Sequence, residues 1–295
     1  MRAGHYAPDV SLRLVALAAL CWGVSGGIAG VLVRAGWEPA VVAFYRGAIG
    51  LLIVLAWLAL RPHRSGLGNH RLWLWAGLAG LGVAGNFTFF FIAIANGSVA
   101  VAATLMYCAP VWVYLVSFAL RLEFSSPAKW LAIALVMVGV VLLTGIYDFE
   151  ASRITPMGIA AGLLSGGCYA LFIFGFKNAT RYGSPRAILV LAFAVLVVVL
   201  AGVADLRQVV AATGSADWPL FAMLGLLGAG ISFIFYVVGM RGACPTRASI
   251  VAMIEPVTAT LFAFAVLGES LAMLQLAGMV LMLGTVTALS IHGNR

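Results

Sequence analysis

The stretch SIVAMIEPVTATLFAFAVLGES, from Ser249 to Ser270, decides how this chain folds. It is apolar enough to lie in lipid, yet Glu255 and Pro256 stand side by side near its middle. Proline lacks a backbone N–H and clashes with the preceding turn, so Pro256 is expected to bend the helix and free a carbonyl. A carboxylate at mid-membrane costs at least about 2.5–3.5 kcal/mol, so Glu255 must face protein or water. The stretch therefore predicts an interrupted transmembrane helix beside a polar space.

The composition of the whole chain agrees with a membrane environment. Of the 295 residues, 64% are hydrophobic and 9% are charged, whereas soluble domains are roughly 45–50% apolar and about 25% charged. The chain is therefore predicted to be an integral membrane protein whose solvent is lipid. The net charge of +8 indicates no nucleic-acid partner, because the basic residues are scattered singly between apolar runs. The four cysteines have no metal-ligand spacing and form no disulfide framework, and no cofactor or metal is predicted.

Breaks in hydropathy predict an all-α protein of ten transmembrane helices, each of roughly 18–23 residues, enough to cross the hydrocarbon core. The first apolar stretch is longer than the core of a signal peptide and has no clear cleavage site before it, so it is expected to be retained. The predicted spans are Leu14–Val33, Ala40–Leu60, Leu72–Ile92, Val99–Leu120, Lys129–Tyr147, Met157–Phe176, Ala187–Ala204, Trp218–Met240, Ala248–Leu267 and Leu271–Ile291.

The distribution of Lys and Arg predicts the orientation of these spans. With the N-terminus in the cytoplasm, thirteen of the 17 basic residues fall in cytoplasmic loops and tails, three fall in outer loops, and Arg46 lies within span two. Cytoplasmic loops of membrane proteins carry an excess of Lys and Arg. Both termini are therefore predicted to be cytoplasmic.

The chain also resembles itself at a shift of 146 residues. Pro110 then falls on Pro256, and Glu123 falls on Glu269. These matches carry weight because proline and glutamate are scarce in this sequence, whereas matched alanines and leucines arise readily by chance. The sequence therefore predicts an internal repeat.

Each predicted repeat contains five spans, residues 1–147 in the first and 148–295 in the second. Because five is odd, the second repeat must enter the membrane in the opposite orientation. Inverted repeats are typical of secondary transporters. Two similar halves in opposite orientations form inward-open and outward-open states of similar energy, which alternating access requires.

The two proline-containing segments also carry a family signature. The second half reads IEPVTATLFAFAVLGESLAMLQLAGMVLMLGTV, with E-P, then G-E at a helix end, then Q and G in the last helix. The first half, CAPVWVYLVSFALRLEFSSPAKWLAIALVMVGVVLL, has a weaker form with Ala109 where the second half has Glu255. This pattern resembles the drug/metabolite transporter superfamily of the ten-helix EamA type. The resemblance covers essentially the whole chain and is strongest toward the bacterial aromatic amino-acid exporters.

This resemblance implies a multi-pass protein of the bacterial inner membrane that exports aromatic and other neutral amino acids or related metabolites. A broad exporter of drugs or metabolites is the alternative. A central cavity is expected near the midplane, formed by spans one, three, four, six, eight and nine. The sequence contains no nucleotide-binding motif, so gradients, a separate subunit or facilitated diffusion would drive transport.

Two charged residues inside predicted spans are candidates for this cavity. Glu255 is expected to bind a substrate amine or couple transport to protons, or else to cap freed backbone N–H groups or pair with Arg46. Arg46 is expected to bind a substrate carboxylate, to form a buried pair, or to snorkel outward. Pro110 and Pro256 interrupt helices at matching positions, which points to a transporter's central site. Arg46 and both prolines are therefore assigned structural or gating roles.

Polar-tipped aromatic side chains at mid-depth are the candidate lining, because they would stack an aromatic or apolar substrate. Most other aromatic residues in membrane spans only fill space or face lipid. Asn86 is expected either to bind substrate or to form a hydrogen bond between helices. The predicted substrate-binding residues are Trp22, Asn86, Tyr107, Trp112, Tyr169, Tyr236 and Glu255.

Other classes of protein fit less well. The motif GVSGG, residues 23–27, matches the G-x-S-x-G of serine hydrolases, but all four histidines lie in predicted cytoplasmic segments or at a span end. No catalytic residue is therefore predicted. An ion channel would need rings of charge or a filter loop, which the sequence lacks. Glycines at spacings of four in spans one and six are expected to pack helices closely or to form a moving contact; they are Gly23, Gly26, Gly27, Gly30, Gly158, Gly162 and Gly166.

Overall fold

The computed structural model describes residues 8–61, 65–97, 99–122, 124, 126–146, 155–268 and 270–292. All regular structure in these residues is helical. Glu123, Glu269 and the predicted boundary between the repeats at residues 147 and 148 lie outside the described residues.

The helices follow one another along the chain with short connections. In the first half they are α1 (Pro8–Arg34), α2 (Pro39–Leu60), α3 (His70–Ala95), α4 (Val99–Met106), α5 (Ala109–Ala119) and α6 (Pro127–Thr144). In the second half they are α7 (Pro156–Ala179), α8 (Pro185–Ala201), α9 (Leu206–Ala212), α10 (Trp218–Gly225), α11 (Ser232–Met240), α12 (Pro245–Ala252), α13 (Ile254–Leu267) and α14 (Met273–His292), with a π-helical turn (Leu226–Ile231) joining α10 to α11.

Eight helical stretches among the described residues are long and apolar enough to cross a membrane, or up to nine if the bent pair α8 and α9 forms one span. α4 and α5 together make one of the eight, and so do α10, the π turn and α11. α9 leaves α8 at an angle of 118°, and the apolar part of α14, Met273–Leu289, falls just short of a full span. Helices thus occupy all ten predicted positions, while eight or nine meet the length of a membrane span.

The interruptions predicted from Pro110 and Pro256 are present. α4 ends at Met106 and is separated from α5 by two residues, and α12 ends at Ala252 and is separated from α13 by one residue. Each break lies within one turn before its proline, where the ring removes a backbone hydrogen bond. Spans four and nine are therefore each built from two shorter helices.

Three pairs of helix starts repeat at the same shift of 146 residues as the sequence. The matched first residues are Pro39 and Pro185, Val99 and Pro245, and Pro127 and Met273. Packing repeats as well, because α3 contacts α7 just as α1 contacts α10 and α11, and α6 packs against its own counterpart α14. The two halves are therefore similar in their elements and in their mutual contacts.

The glycines of α1 divide between two faces. A Cβ atom on Gly23 would lie 2.6 Å from the Glu255 carbonyl oxygen, and one on Gly27 would meet the Phe262 ring. These two glycines let α1 pack closely against α13, as predicted. Gly30 instead faces open space, so the prediction of close packing is wrong for that position. In α7, the glycines at 158, 162 and 166 face Asn96 and Leu105 and also permit close packing.

Candidate functional site

A cavity of about 650 Å³ lies between the helices. Its mouth is lined by the ends of α1, α3 and α6 and the starts of α2 and α4, with exposed residues such as Arg34 and Val99. Its inner end is lined by buried aromatic residues, Trp22, Phe172 and Phe233. The cavity is therefore open toward one face of the helical bundle and closed toward the other.

The cavity draws on all six of the spans predicted to form it, namely one, three, four, six, eight and nine. It also draws on spans two, five and ten, which the prediction left out. Span two contributes Arg46, span five contributes Thr144 at the mouth, and span ten contributes Gln275, whose amide donates to the Leu143 carbonyl at 3.2 Å. Nearly the whole bundle thus surrounds one space.

Aromatic rings close the inner end of the cavity. The Trp22 ring centroid lies 5.0 Å from those of Phe233 and Tyr236, and Phe172 lies 4.5 Å from Tyr169. Such aromatic pairs contribute about 0.5–1.5 kcal/mol each beyond the area they bury. This layer comes from α1, α7 and α11, and it separates the cavity from the opposite face.

A lysine fastens the helix ends at the closed face. The Lys177 ammonium at the end of α7 donates to the carbonyl oxygens of Met240 at 2.9 Å, Arg241 at 3.4 Å and Ala243 at 2.6 Å. These carbonyls lie at the end of α11 and in the turn after it, where a helix leaves its last carbonyls without intrahelical partners. Lys177 therefore holds α7 against α11 on the side away from the cavity mouth.

Glu255 lies on the cavity wall in the first turn of α13. Its carboxylate accepts a hydrogen bond from the Tyr169 hydroxyl at 3.2 Å. The interruption before α13 creates a helix N-terminus, where the backbone dipole favours negative charge. The break and the carboxylate therefore belong together. The carboxylate is bonded to Tyr169 and not to a freed backbone N–H, which departs from the capping alternative.

Arg46 reaches the cavity from α2. Its Nε donates to the Gly228 carbonyl at 3.0 Å, and its guanidinium carbon lies 5.1 Å from the centroid of the Phe87 ring. A direct salt bridge between Arg46 and Glu255 is not among the contacts of the described residues, and their pairing stays a prediction. The two opposite charges both face the same space.

Asn86 makes the hydrogen bond between helices that the sequence suggested. Its Nδ2 donates to the Ser165 carbonyl at 3.1 Å and to the Ser165 hydroxyl at 3.0 Å, and that hydroxyl donates to the Asn86 carbonyl at 2.9 Å. These bonds fasten α3 to α7. Asn86 also lines the cavity, so the two predicted roles do not compete.

The structure brings most of the predicted substrate-binding residues to one cavity. Those that line it are Trp22, Asn86, Tyr107, Tyr169 and Glu255, together with Arg46 and Pro256 from the predicted structural set. Pro110 is buried at the start of α5 and lies outside the lining.

Tyr236 and Trp112 do not line the cavity. Tyr236 is completely buried beneath Trp22, in the aromatic layer that closes the inner end. Trp112 is 38% exposed on α5. The sequence predicted that span four is interrupted near Pro110, but not the directions in which the residues on either side of the break between α4 and α5 point. Tyr107 faces the cavity and Trp112 does not.

Sequence reasoning missed the phenylalanines of α3. Phe87, Phe90 and Phe91 line the cavity beside Asn86. Helical spacing from Asn86 would have found Phe90, which lies one turn further along the same face. The serine of the hydrolase-like motif is engaged within its own helix, because Ser25 Oγ donates to the Trp22 carbonyl at 2.9 Å.

Comparison with known proteins gives a consistent result. The sequence profile of the EamA-like transporter family matches the chain twice, over residues 11–145 and 156–291. An uncharacterized transporter from Archaeoglobus fulgidus is 31% identical over 268 residues, covering 88% of this chain and 90% of that protein. The uncharacterized transporter YcbK of Bacillus subtilis is 25% identical, covering 82% and 80% of the two chains. A solved crystal structure with 18% identity covers 96% of both chains with a TM-score of 0.73, which is a likeness of fold.

Proposed function

Because this chain belongs to the EamA-like transporter family, we propose that it is a secondary transporter that exports aromatic and other neutral amino acids or related metabolites from the cytoplasm. The observation that carries this proposal is the cavity, which combines an aromatic wall with one carboxylate and one guanidinium. Its volume of about 650 Å³ falls within the range of about 300–1,000 Å³ typical of small-molecule sites.

The chemistry of the cavity suits a bulky neutral amino acid. The carboxylate of Glu255, oriented by Tyr169, offers a partner for an ammonium group. The rings of Trp22, Phe172 and Phe233 offer an apolar surface on which an aromatic side chain would stack. A substrate of this class would thus contact both the Glu255 carboxylate and the aromatic rings at the inner end of the cavity.

Alternating access between two inverted halves is the proposed mechanism. Ten helices, five in residues 1–147 and five in 148–295, would form the two repeats in the bacterial inner membrane with both termini in the cytoplasm. In that orientation the mouth of the cavity faces outward and the layer around Trp22 faces the cytoplasm. The excess of basic residues in the predicted cytoplasmic loops supports this orientation.

Counterflow in proteoliposomes tests the proposal. Vesicles carrying the purified protein are loaded with one unlabelled amino acid at a time, and uptake of labelled phenylalanine and then labelled threonine is followed against protein-free vesicles. The expected result is saturable exchange driven by internal aromatic or large neutral amino acids. Absence of exchange with every amino acid tested would contradict the proposed substrate.

A broad exporter of drugs or metabolites is the second candidate. The phenylalanines of α3 extend the apolar lining toward the mouth of the cavity, and such a surface accepts many apolar cations. Movement of a cationic dye without any amino-acid exchange in the same vesicles would favour this function and retain the transport class.

A further inference from the structure

One turn of the second half departs from the regular α-helix. Residues Leu226–Ile231, between α10 and α11, form a π-helical turn. Such turns are rare and are frequently found at functional sites. The corresponding residues of the first half, 146 positions earlier, lie within the regular helix α3. The π turn is therefore a feature of one half and not of the repeat.

The π turn holds Arg46. The Gly228 carbonyl, in the middle of the turn, accepts from Arg46 Nε at 3.0 Å. A Cβ atom on Gly228 would lie 2.6 Å from this Nε and 2.8 Å from Ser25 Oγ, so a side chain there would displace the arginine. The position that corresponds to Arg46 in the second half is Ala192, which is completely buried. The charge and the π turn that holds it therefore lack a counterpart at the matching positions of the other half, all of which are among the described residues.

Arg46 lines the cavity, and the π turn engages its Nε. A guanidinium has five N–H donors in a planar fork, and Gly228 takes only the one on Nε. The Phe87 ring centroid lies 5.1 Å from the guanidinium carbon and makes a cation–π contact with it. No described residue accepts from the remaining donors, and Arg46 lines the cavity. A cation without a counter-charge in direct contact is thus presented to the cavity.

We propose that Arg46 is the anion anchor of this cavity and binds the carboxylate group of the substrate through its two terminal nitrogens. Paired N–H donors match the two oxygens of a carboxylate and give a bidentate, charge-assisted contact. Gly228 and Phe87 act as positioning residues because they fix the fork before the substrate arrives. The inference deepens the proposed function, on which it rests for the cavity being the transport site. It assigns the substrate to small carboxylates, including zwitterions whose ammonium group binds Glu255.

Ligands that share one ring and differ in their charged groups test the anchor. Thermal stabilisation of the purified wild-type protein is measured with 3-phenylpropionate, phenylalanine, phenylalaninamide and phenethylamine, and apparent Kd values are compared with those of Arg46→Gln and Arg46→Lys. Arg46→Gln is expected to weaken both carboxylates by about 10–100-fold and to change the two ligands without a carboxylate by less than about 2-fold. Arg46→Lys is expected to lie between, because it keeps the charge and loses the fork.

The Gly228→Ala variant tests whether the position of the Arg46 guanidinium matters when its charge is retained. It retains Arg46 and shifts its Nε, so it is expected to weaken the carboxylates selectively and to leave the ligands without a carboxylate unchanged. The melting temperature and gel-filtration profile of each ligand-free variant verify that it is folded. Should Arg46→Gln fail to fold, Gly228→Ala and Arg46→Lys carry the comparison.

Two results overturn the anchor. One is an equal loss of affinity for carboxylates and for their uncharged or cationic analogues in the Arg46 and Gly228 variants. The other is failure of every carboxylate to stabilise the wild-type protein. The amino-acid function fails separately: stabilisation by 3-phenylpropionate that depends on Arg46, without exchange of any amino acid, would retain the anchor and contradict amino-acid export. Exchange of amino acids that does not depend on Arg46 would retain amino-acid export and contradict the anchor.

Discussion

Single residues carry the chemistry of this cavity, and each is paired with a local feature that lets it lie in an apolar bundle. Glu255 lies in the first turn of a helix that an interruption creates, with the Tyr169 hydroxyl 3.2 Å away. Arg46 depends on a carbonyl from the π turn, 182 residues away in the chain. An isolated charge at these positions would be costly. The two backbone irregularities therefore lie where they stabilise the charges of Glu255 and Arg46.

The carboxylate of Glu255 is open to a direct test. Glu255→Gln keeps the shape and the acceptor oxygen but removes the charge that an ammonium group would bind. Counterflow of labelled phenylalanine is expected to fall at least about 10-fold, because the loss of one hydrogen bond to a charged group weakens binding by about that factor.

A matched control lies five residues further along the same helix. Thr260 also lines the cavity, but its hydroxyl donates to the Pro256 carbonyl within α13. Thr260→Val is therefore expected to stay within about 2-fold of the wild-type counterflow rate. Wild-type rates in Glu255→Gln would show that the carboxylate takes no part in binding.

At the scale of elements, short contacts between particular helices set the position of the site. α1 packs against α13 through Gly23, whose Cβ would lie 2.9 Å from the Ala259 backbone nitrogen. Backbone atoms on both sides of this contact leave no room for adjustment. The same contact fixes the first turn of α13 and thereby the depth of Glu255.

Gly23→Ala is expected to destabilise the protein by about 1–3 kcal/mol, the usual cost of overpacking. Gly30→Ala is the matched control in the same helix, because its Cβ would enter open space and alanine favours the helix by about 1 kcal/mol. Thermal unfolding in detergent, followed with a dye that reacts with the thiols of the four partly buried cysteines, measures both. Equal melting temperatures for the two variants would contradict the close contact between α1 and α13.

The contact between α7 and α11 is expected to control the closed side of the cavity. Lys177→Met removes three hydrogen bonds to backbone carbonyls and should shift the population toward a state open on that side. In a variant with Cys244 as its only cysteine, the rate of maleimide labelling is expected to rise about 10-fold.

Lys177→Arg is the control for this experiment because it retains the positive charge and the donors. Its labelling rate should stay closer to that of the parent variant than the rate of Lys177→Met. An unchanged rate in Lys177→Met would mean that the contact does not restrain the closed side.

At the scale of the whole molecule, the two halves repeat their architecture but not their chemistry. The helix starts and the packing of helices recur after 146 residues. Glu255 corresponds to Ala109, Arg46 corresponds to Ala192, and the π turn corresponds to regular helix. The repeated helices therefore surround the cavity. The two charged residues that line it each occur in one half and have an alanine at the matching position of the other half.

Reporter fusions test the inverted topology. A fusion after Thr155, between α6 and α7, and a fusion at the C-terminus are expected to lie on opposite sides of the membrane, because five spans separate them. Alkaline phosphatase should be active at the first position and a fluorescent protein should mature at the second. Reporters on the same side would require an even number of spans in the second half and would contradict the inversion.

The sequence by itself determined the class of protein, the position of the helices, the two interruptions and the repeat. These properties follow from hydropathy, from proline and from spacing, which act within a few residues and do not depend on distant contacts. It also identified five of its seven predicted substrate-binding residues as ones that line the cavity, because mid-depth polar groups in an apolar span must face protein or water.

Only the tertiary structure decided which of these residues meet. Tyr107 and Trp112 lie five residues apart, but the break between α4 and α5 directs them to different surroundings. Tyr236, like Tyr169, is a polar-tipped aromatic residue at mid-depth of its predicted span, but it is buried beneath the aromatic layer that closes the cavity. Arg46 donates to the Gly228 carbonyl, which lies in a π-helical turn. The physical reason is that the direction of a side chain depends on the phase of its helix, and its partner depends on how distant helices pack.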